Sequence, residues 1–124
     1  MVIDMKVIGE MENMKEKVLF KINSGSRYEG DVRNDKREGK GIFYYNNGDR
    51  YEGDYRNGKK ERKGIYYYHN CDRYEGDWRN NNKEGKGIYY YNDGDREMGD
   101  FYNGMPKEKF VMLTNNGEVK INNY

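Results

Sequence analysis

The chain has 124 residues, a formal net charge of +1 at pH 7, 34% hydrophobic residues and 36% charged residues. A net charge so close to zero excludes a strong global attraction to nucleic acid or membranes, and a single cysteine excludes an internal disulfide framework and fits a reducing compartment. The low hydrophobic content is typical of disorder, but 14 tyrosines, four phenylalanines and one tryptophan can build an aromatic core instead.

The N-terminal segment, residues 1–17, precedes the repeated part of the chain and forms a cap or tail. We expect no secretory signal there, because a basic stretch followed by an apolar stretch is missing. We also expect no transmembrane helix, because no run of apolar residues is long enough. Its apolar residues would either fold over the aromatic face defined below or cap the first strand. They are Met1, Val2, Ile3, Met5, Val7, Ile8, Met11 and Met14.

A repeat dominates the rest of the chain. Tyr-Glu-Gly-Asp at residues 28–31 returns twice, each time 23 residues later, and a further step of 23 reaches Glu-Met-Gly-Asp at residues 97–100. A fixed period of this kind is the signature of a repeat array. The array covers residues 18–119, and residues 120–124 form a C-terminal tail. A half copy, three full copies and a degenerate copy span residues 18–27, 28–50, 51–73, 74–96 and 97–119.

Each period contains two strand-like runs around a turn signal. The runs that flank the first such turn are residues 41–45 and 50–55, and a longer connection rich in Gly, Asn and Lys follows at residues 56–64. Hairpins repeated without helical intervals predict an antiparallel meander. The predicted fold class is therefore all-β, an elongated single-layer antiparallel meander of tandem 23-residue β-hairpin repeats.

The register of the first hairpin follows from its loop length. A three-residue loop, Asn46-Asn47-Gly48, places Phe43 on the face of Tyr51 and Tyr55, whereas a two-residue turn would place Tyr44 there. The three-residue loop also puts its glycine at the left-handed position that a type I turn with a bulge requires. We prefer it because it gathers the repeated aromatic residues on one face, the aromatic face, and leaves the charged residues on the opposite face.

Glycines inside the strands predict close approaches. Glycine in a strand interior marks a place where another group comes near the backbone, and at Gly53 and Gly76 we expect a neighbouring aromatic ring over the bare Cα. The glycines with predicted structural roles are Gly30, Gly53, Gly76 and Gly99 in the strands and Gly48 and Gly94 in the turns. Cys71 stands where the turn glycines stand, which predicts a strained or different middle turn. Glu97 replaces the repeated tyrosine and predicts a defect in the aromatic face.

At this point the unit resembles the MORN repeat. The matching residues of the third full copy are Tyr74-Glu75-Gly76-Asp77-Trp78, Gly85-Lys86-Gly87, Tyr89, Tyr91 and Gly94-Asp95-Arg96. The resemblance extends over residues 18–119, although Arg62 replaces a glycine of the pattern. It implies a single-layer, grooved antiparallel sheet used for attachment, with members that bind protein segments and a proposed role in lipid binding.

No enzymatic constellation, metal site or cofactor is predicted. His69 and Cys71 are the single residues of their kinds, and a zinc site needs three or four ligands, so we interpret them as turn residues that have diverged. The carboxylates Glu29, Asp31, Glu52, Asp54, Glu75 and Asp77 recur in every copy, whereas a catalytic pair occurs once. We expect them to form a solvated face, paired with Arg27, Arg50 and Arg73.

The aromatic face predicts a partner-binding groove, because a one-layer sheet has nothing within the repeats to cover it. Exposed aromatic patches mark partner sites, and rings make good anchors for a helix or an extended peptide of another protein. The predicted groove residues are Phe43, Tyr45, Tyr51, Tyr55, Tyr66, Tyr68, Tyr74, Trp78, Tyr89, Tyr91 and Phe101.

The connections predict a basic edge along the array. Its residues are Lys36, Arg37, Lys40, Lys59, Lys60, Arg62, Lys63, Lys83 and Lys86. Such residues would contact acidic phospholipids, at about 1 kcal/mol per basic side chain near the surface. Nucleic acid is not expected, because glutamates are interleaved and the net charge is small.

The favoured interpretation is a non-catalytic protein–protein interaction or scaffold module of the cytoplasm that binds a helix or peptide in the aromatic groove. The alternative is a phosphoinositide- or anionic-membrane-binding module that uses the basic loops. Membrane or cytoskeleton association fits either interpretation. Open sheet edges would also allow a homodimer or a place in a larger assembly.

Overall fold

The structure is a computed structural model, and it describes residues 3–7, 16–22 and 24–124. Within these ranges the chain forms eleven strands and no helix, in one antiparallel sheet whose strand order follows the chain. The strands are β1 Ile3–Val7, β2 Glu16–Ile22, β3 Arg27–Arg33, β4 Lys36–Tyr44, β5 Arg50–Arg56, β6 Lys59–Tyr67, β7 Arg73–Arg79, β8 Asn82–Tyr90, β9 Arg96–Tyr102, β10 Met105–Leu113 and β11 Val119–Asn123. The predicted meander of hairpins is confirmed.

The N-terminal segment extends this sheet. Strand β1 pairs antiparallel with β2, from Ile3 opposite Ile22 to Val7 opposite Val18. The backbone of residues 3–7 therefore lies beside the first repeat strand and does not fold over the aromatic face. The other residues expected to cover that face, Met1, Val2, Ile8, Met11 and Met14, lie outside the described residues.

The predicted register of the first full hairpin is confirmed. Phe43 pairs with Tyr51, and the Tyr45 N–H donates to the Asp49 carbonyl at 2.9 Å, which leaves a three-residue loop. The last residue of that loop, Gly48, has φ +95°. This left-handed conformation aligns a type I turn with the twist of the strands.

The middle hairpin keeps the same turn. The Tyr68 N–H donates to the Asp72 carbonyl at 2.9 Å, and the Cys71 N–H donates to the Tyr68 carbonyl at 3.0 Å. Cys71 itself has φ +74°. Of the two predicted alternatives, a strained turn and a different turn, the structure shows the strained one: a residue with a Cβ occupies the left-handed conformation, at a cost of about 1–2 kcal/mol.

The predicted long connection between hairpins, residues 56–64, is also wrong. Arg56 pairs directly with Lys59, so the turn consists of Asn57 and Gly58, which have φ +51° and +80°. Both residues of a type I′ turn need positive φ, which Asn-Gly supplies. The remaining residues belong to β6, where a bulge absorbs the extra length around Arg62, at φ +63°. Turns and bulges are both rich in Gly, Asn and charged residues, so the sequence of residues 56–64 predicted a single loop.

The repeated tyrosine packs across a pair of glycines. Gly53 pairs with Gly64 on the next strand, and a methyl group at Gly64 would overlap the ring of Tyr51. At Gly53 the nearest group is the backbone of β6, whose Gly64 Cα would lie 2.5 Å from an added Cβ. The predicted ring therefore lies over the partner glycine. The same arrangement joins Tyr28 to Gly41 and Tyr74 to Gly87, glycines that the sequence interpretation had missed.

The predicted defect at residue 97 is compensated from the facing strand. Phe110 stands where Gly41, Gly64 and Gly87 stand in the earlier copies, and its ring lies over Gly99. Phe110 is 1% exposed and contacts Phe101 edge-to-face, with 5.1 Å between ring centroids. The aromatic core therefore continues through the degenerate copy.

Candidate functional site

Most of the predicted aromatic groove is core. Six of its residues are between 0% and 9% exposed, and these are Phe43, Tyr51, Tyr55, Tyr74, Trp78 and Phe101. Tyr51 contacts Trp78 edge-to-face with centroids 5.3 Å apart, and Trp78 contacts Tyr74 at 5.2 Å. Each repeat advances by two strand spacings, about 9.6 Å, so two such ring contacts fill one repeat. These six rings bury one another and therefore present little surface to a partner.

The other five predicted groove residues form a half-buried outer row, which consists of Tyr45, Tyr66, Tyr68, Tyr89 and Tyr91. Neighbouring rings of this row are tilted against each other, with centroids 4.7 to 5.6 Å apart. The Tyr66 hydroxyl donates to Asp49 at 2.8 Å, and the Tyr89 hydroxyl donates to Asp72 at 2.9 Å. Burial, reinforced by the hydrogen bond to Asp49, raises the pKa of Tyr66.

Each full copy also places one cation among the rings. The Lys60 Nζ lies 5.3 to 5.7 Å from the centroids of Tyr45, Tyr51, Tyr66 and Trp78. Lys83 occupies the equivalent place in the next copy and donates to the Tyr68 hydroxyl at 2.7 Å. Burial and, to a smaller extent, the charge of Arg37 lower the pKa of Lys60 to about 8. These cations pack against the aromatic core.

The nine basic residues predicted for lipid contact do not share a face. Arg37, Lys60 and Lys83 lie against the aromatic rings, whereas Lys40 and Lys63 form ion pairs with acidic residues of the next strand on the opposite face. Lys86 has the equivalent position, and Lys36, Lys59 and Arg62 are exposed near turns and bulges. Neighbouring residues of a strand point to opposite faces, so a basic run does not make a basic edge.

The opposite face also differs from the predicted pattern of charge pairs. Arg27, Arg50 and Arg73 stack on the rings of Tyr44, Tyr67 and Tyr90, with 4.2, 4.1 and 3.8 Å from guanidinium carbon to ring centroid. Asp54 pairs with Lys40 and Asp77 pairs with Lys63. Among the described arginines, Arg73 alone pairs with a carboxylate of the predicted rows, Glu75, at 3.8 Å.

A groove crosses this opposite face. It encloses about 890 Å³ over strands β3 to β7, and a smaller extension of about 450 Å³ continues to β9. Its floor is the backbone of paired glycines, including Gly53 and Gly64. Ile42 and Ile65 stand on one side, and Lys40 and Lys63 stand on the other. We call this surface the glycine groove. The sequence interpretation missed it, although Lys-Gly-Ile at residues 40–42, 63–65 and 86–88 was a signal for it.

Carboxylates link successive hairpins at the turns. Asp49 accepts from the His69 backbone N–H at 2.8 Å, and the same bond joins Asp72 to Asn92 and Asp95 to Asn115, each at 2.7 Å. Burial alone would raise the pKa of Asp49, but hydrogen bonds from His69 and Tyr66 lower it overall. His69 Nδ1 lies 3.0 Å from the same carboxylate. His69 therefore serves the turn, and among the described residues no cluster of three potential metal ligands forms.

Comparison with known proteins agrees with this architecture. The family model of the MORN repeat matches the chain at residues 28–50, 51–70 and 74–96, which together are more than half of it. The second match ends just before Cys71. MORN repeats are interaction modules for proteins or membranes and are not enzymes. No curated protein matches the chain. No helix suited to crossing a membrane occurs in the described part of the chain.

Proposed function

Because the chain belongs to the MORN-repeat family, we propose that it is a non-catalytic scaffold module that holds a segment of another protein in the glycine groove. The groove itself carries this proposal. The glycines are required by the tyrosine rings, because a Cβ at these positions would point into the aromatic face. On the opposite face their backbone forms a floor between one row that contains Glu52 and Ile65 and another that contains Lys63. A partner can therefore approach the backbone closely there.

The dimensions of the groove suit one chain segment. From β3 to β9 it crosses seven strands, a distance of about 29 Å at the usual strand spacing. Ile42, Ile65 and Ile88 provide apolar contact along this length, and apolar contacts in a desolvated centre supply most of the affinity of an interface.

The aromatic face is a weaker candidate. Its deep rings are packed against one another, so a partner would reach the outer row alone, and the hydroxyls of Tyr66 and Tyr89 are already bonded to buried aspartates. Binding to an acidic phospholipid surface is the alternative function. It would need the basic side chains to converge, and three of them, Arg37, Lys60 and Lys83, lie against the aromatic rings.

Peptide selection tests the proposal. A displayed library of random peptides roughly ten residues long, enough to span the groove at about 3.1 Å per residue, is selected against the protein. The selected peptides are then titrated against three folded variants: Ile65→Lys in the groove, Tyr68→Ala in the outer row and Tyr102→Ala, an exposed control. We expect Ile65→Lys to weaken binding by about tenfold or more, a loss of about 1.4 kcal/mol, while the other two variants bind normally.

Two results would contradict the groove proposal. Peptides that lose binding with Tyr68→Ala but keep it with Ile65→Lys would place the site on the aromatic face. Sedimentation with vesicles of neutral or acidic phospholipid covers the alternative function: binding that requires acidic lipid and weakens with added salt would support membrane attachment.

A further inference from the structure

One wall of the glycine groove alternates charged and apolar residues. Glu52 is paired with Ile42 on one side and Ile65 on the other, and Glu75 is paired with Ile65 and Ile88. Glu29 begins the same series opposite Ile42. The wall therefore presents a carboxylate on every second strand, with an isoleucine between each two carboxylates.

This row of carboxylates gives the wall a negative character. Lys40 and Lys63, on the other wall, form ion pairs with Asp54 and Asp77, so they do not neutralise the row. Glu52 and Glu75 are exposed. Glu75 also pairs at 3.8 Å with Arg73, whose guanidinium stacks on the ring of Tyr90. A chain with a net charge of +1 thus has a groove wall complementary to a basic partner.

The spacing of the row favours one conformation of that partner. Carboxylates recur every two strand spacings, about 9.6 Å. A polyproline II segment brings every third residue to the same side after about 9.3 Å, and an α-helix brings every seventh residue back after about 10.5 Å. From Glu29 to Glu75 the polyproline II segment deviates by about 0.6 Å and the helix by about 1.8 Å. In a β-strand, residues on one side repeat at about 6.7 Å, which does not match.

We propose that the glycine groove binds an extended, polyproline II-like segment of a partner protein with Lys or Arg at every third residue. The basic groups contact Glu29, Glu52 and Glu75, and one apolar residue in each triplet contacts the isoleucines between them. This inference rests on the proposed function and adds the chemistry of the partner. A preformed polyproline II segment loses little conformational entropy on binding, so a shallow groove can hold it.

Labelled synthetic peptides test the inference by fluorescence anisotropy. The test peptide contains tandem Lys-Pro-Val triplets. Its controls have the same composition with the lysines clustered at one end, glutamine in place of every lysine, or a helical sequence with lysine at heptad spacing. We expect the triplet peptide to bind about tenfold or more tightly than each control, and its affinity should fall as salt is added.

Variants of the protein test whether the preference for the triplet peptide depends on the carboxylates of the groove wall. Replacing Glu29, Glu52 and Glu75 together by Gln should abolish the preference for the triplet peptide. The control variant removes the same number of charges elsewhere, with Asp35→Asn, Glu108→Gln and Glu118→Gln, and should keep the preference. Circular dichroism and melting confirm that both variants are folded.

Every other outcome overturns the inference. Equal binding by the glutamine peptide, lost with Ile65→Lys, would leave the groove as a protein-binding site but remove the basic partner. Tightest binding by the heptad peptide would identify a helix as the occupant. An equal loss with both triple variants would reduce the effect to general charge attraction. If none of the synthetic peptides binds while library-selected peptides still bind the groove, a basic polyproline II partner is excluded and the proposed function is not.

Discussion

The ring of Phe110 lies over Gly99, on the strand pair where a tyrosine ring lies over a glycine in each earlier copy. In the copies before it, a tyrosine of one strand covers a glycine of the next, as Tyr74 covers Gly87. In the last copy residue 97 is Glu and residue 110 is Phe, so the two strands have exchanged roles: the ring comes from β10 and covers the glycine of β9. The exchange keeps the ring contacts continuous, because Phe110 contacts Phe101 at 5.1 Å and Tyr124 at 5.2 Å between centroids.

This exchange predicts strong coupling between residues 97 and 110. Phe110→Gly alone should lower the free energy of unfolding by about 3 kcal/mol or more, because it leaves a cavity. Glu97→Tyr alone should lower it by about 1–3 kcal/mol, because the core becomes overpacked. The double variant restores the arrangement of the earlier copies, so urea unfolding should give a favourable coupling of about 2 kcal/mol. Additive losses would show that the two positions are independent.

Gly64 should tolerate no side chain. A methyl group there would overlap the ring of Tyr51, which is itself fully buried. We expect Gly64→Ala to reduce the free energy of unfolding by about 1–3 kcal/mol in urea titrations. Gly58→Asn is the matched control, because Gly58 has open space around it and asparagine occupies the equivalent turn position at Asn81 with φ +71°. A loss at Gly58 as large as that at Gly64 would contradict the packing explanation.

Cys71→Gly should stabilise the protein. Relief of the left-handed strain at φ +74° is worth about 1–2 kcal/mol, and the greater freedom of glycine in the unfolded chain offsets about 0.4–1 kcal/mol of it. The net gain should appear as a higher melting temperature. Cys71→Ser keeps the Cβ and should melt like the parent, so an equal gain in both variants would point to thiol chemistry as the cause.

Asp49 should contribute stability that depends on pH. Its pKa is lowered below 3.8 by hydrogen bonds that outweigh its burial, so the folded state favours the ionised form. The contribution is complete above that value and is lost as the pH falls through the pKa of the folded state. We expect Asp49→Asn to lower the free energy of unfolding by about 1–3 kcal/mol at neutral pH. In acid, the free energies of unfolding of the variant and the parent should become more alike.

Unfolding titrations at neutral and acid pH measure this difference. Asp35→Asn, an exposed turn residue, serves as the control and should differ little from the parent at either pH. A difference for Asp49→Asn that stays constant from neutral to acid pH would show that its ionisation does not matter for stability.

The strand register was predictable from the first hairpin, whereas exposure was not. Alternation along a strand assigns Tyr51 and Tyr55 to one face whatever surrounds them. A glycine at residue 48 favours the three-residue loop, because the last residue of that loop needs a left-handed conformation. Whether Tyr51 touches solvent depends on rings contributed by other copies, such as Trp78 at 5.3 Å. The same limit explains Lys60: its basic character is evident in the sequence, but its place among four rings depends on contacts between copies.

The sequence by itself determined the repeat, the all-β meander and the face of the repeated aromatic residues, because these follow from a fixed period and from local backbone preferences. Only the tertiary structure decided which aromatic residues are core, that Phe110 compensates for Glu97, and that an open groove crosses the face opposite the aromatic rings. Those properties arise from how neighbouring copies fill space between them, and the distances that govern such packing do not exist until the strands are paired.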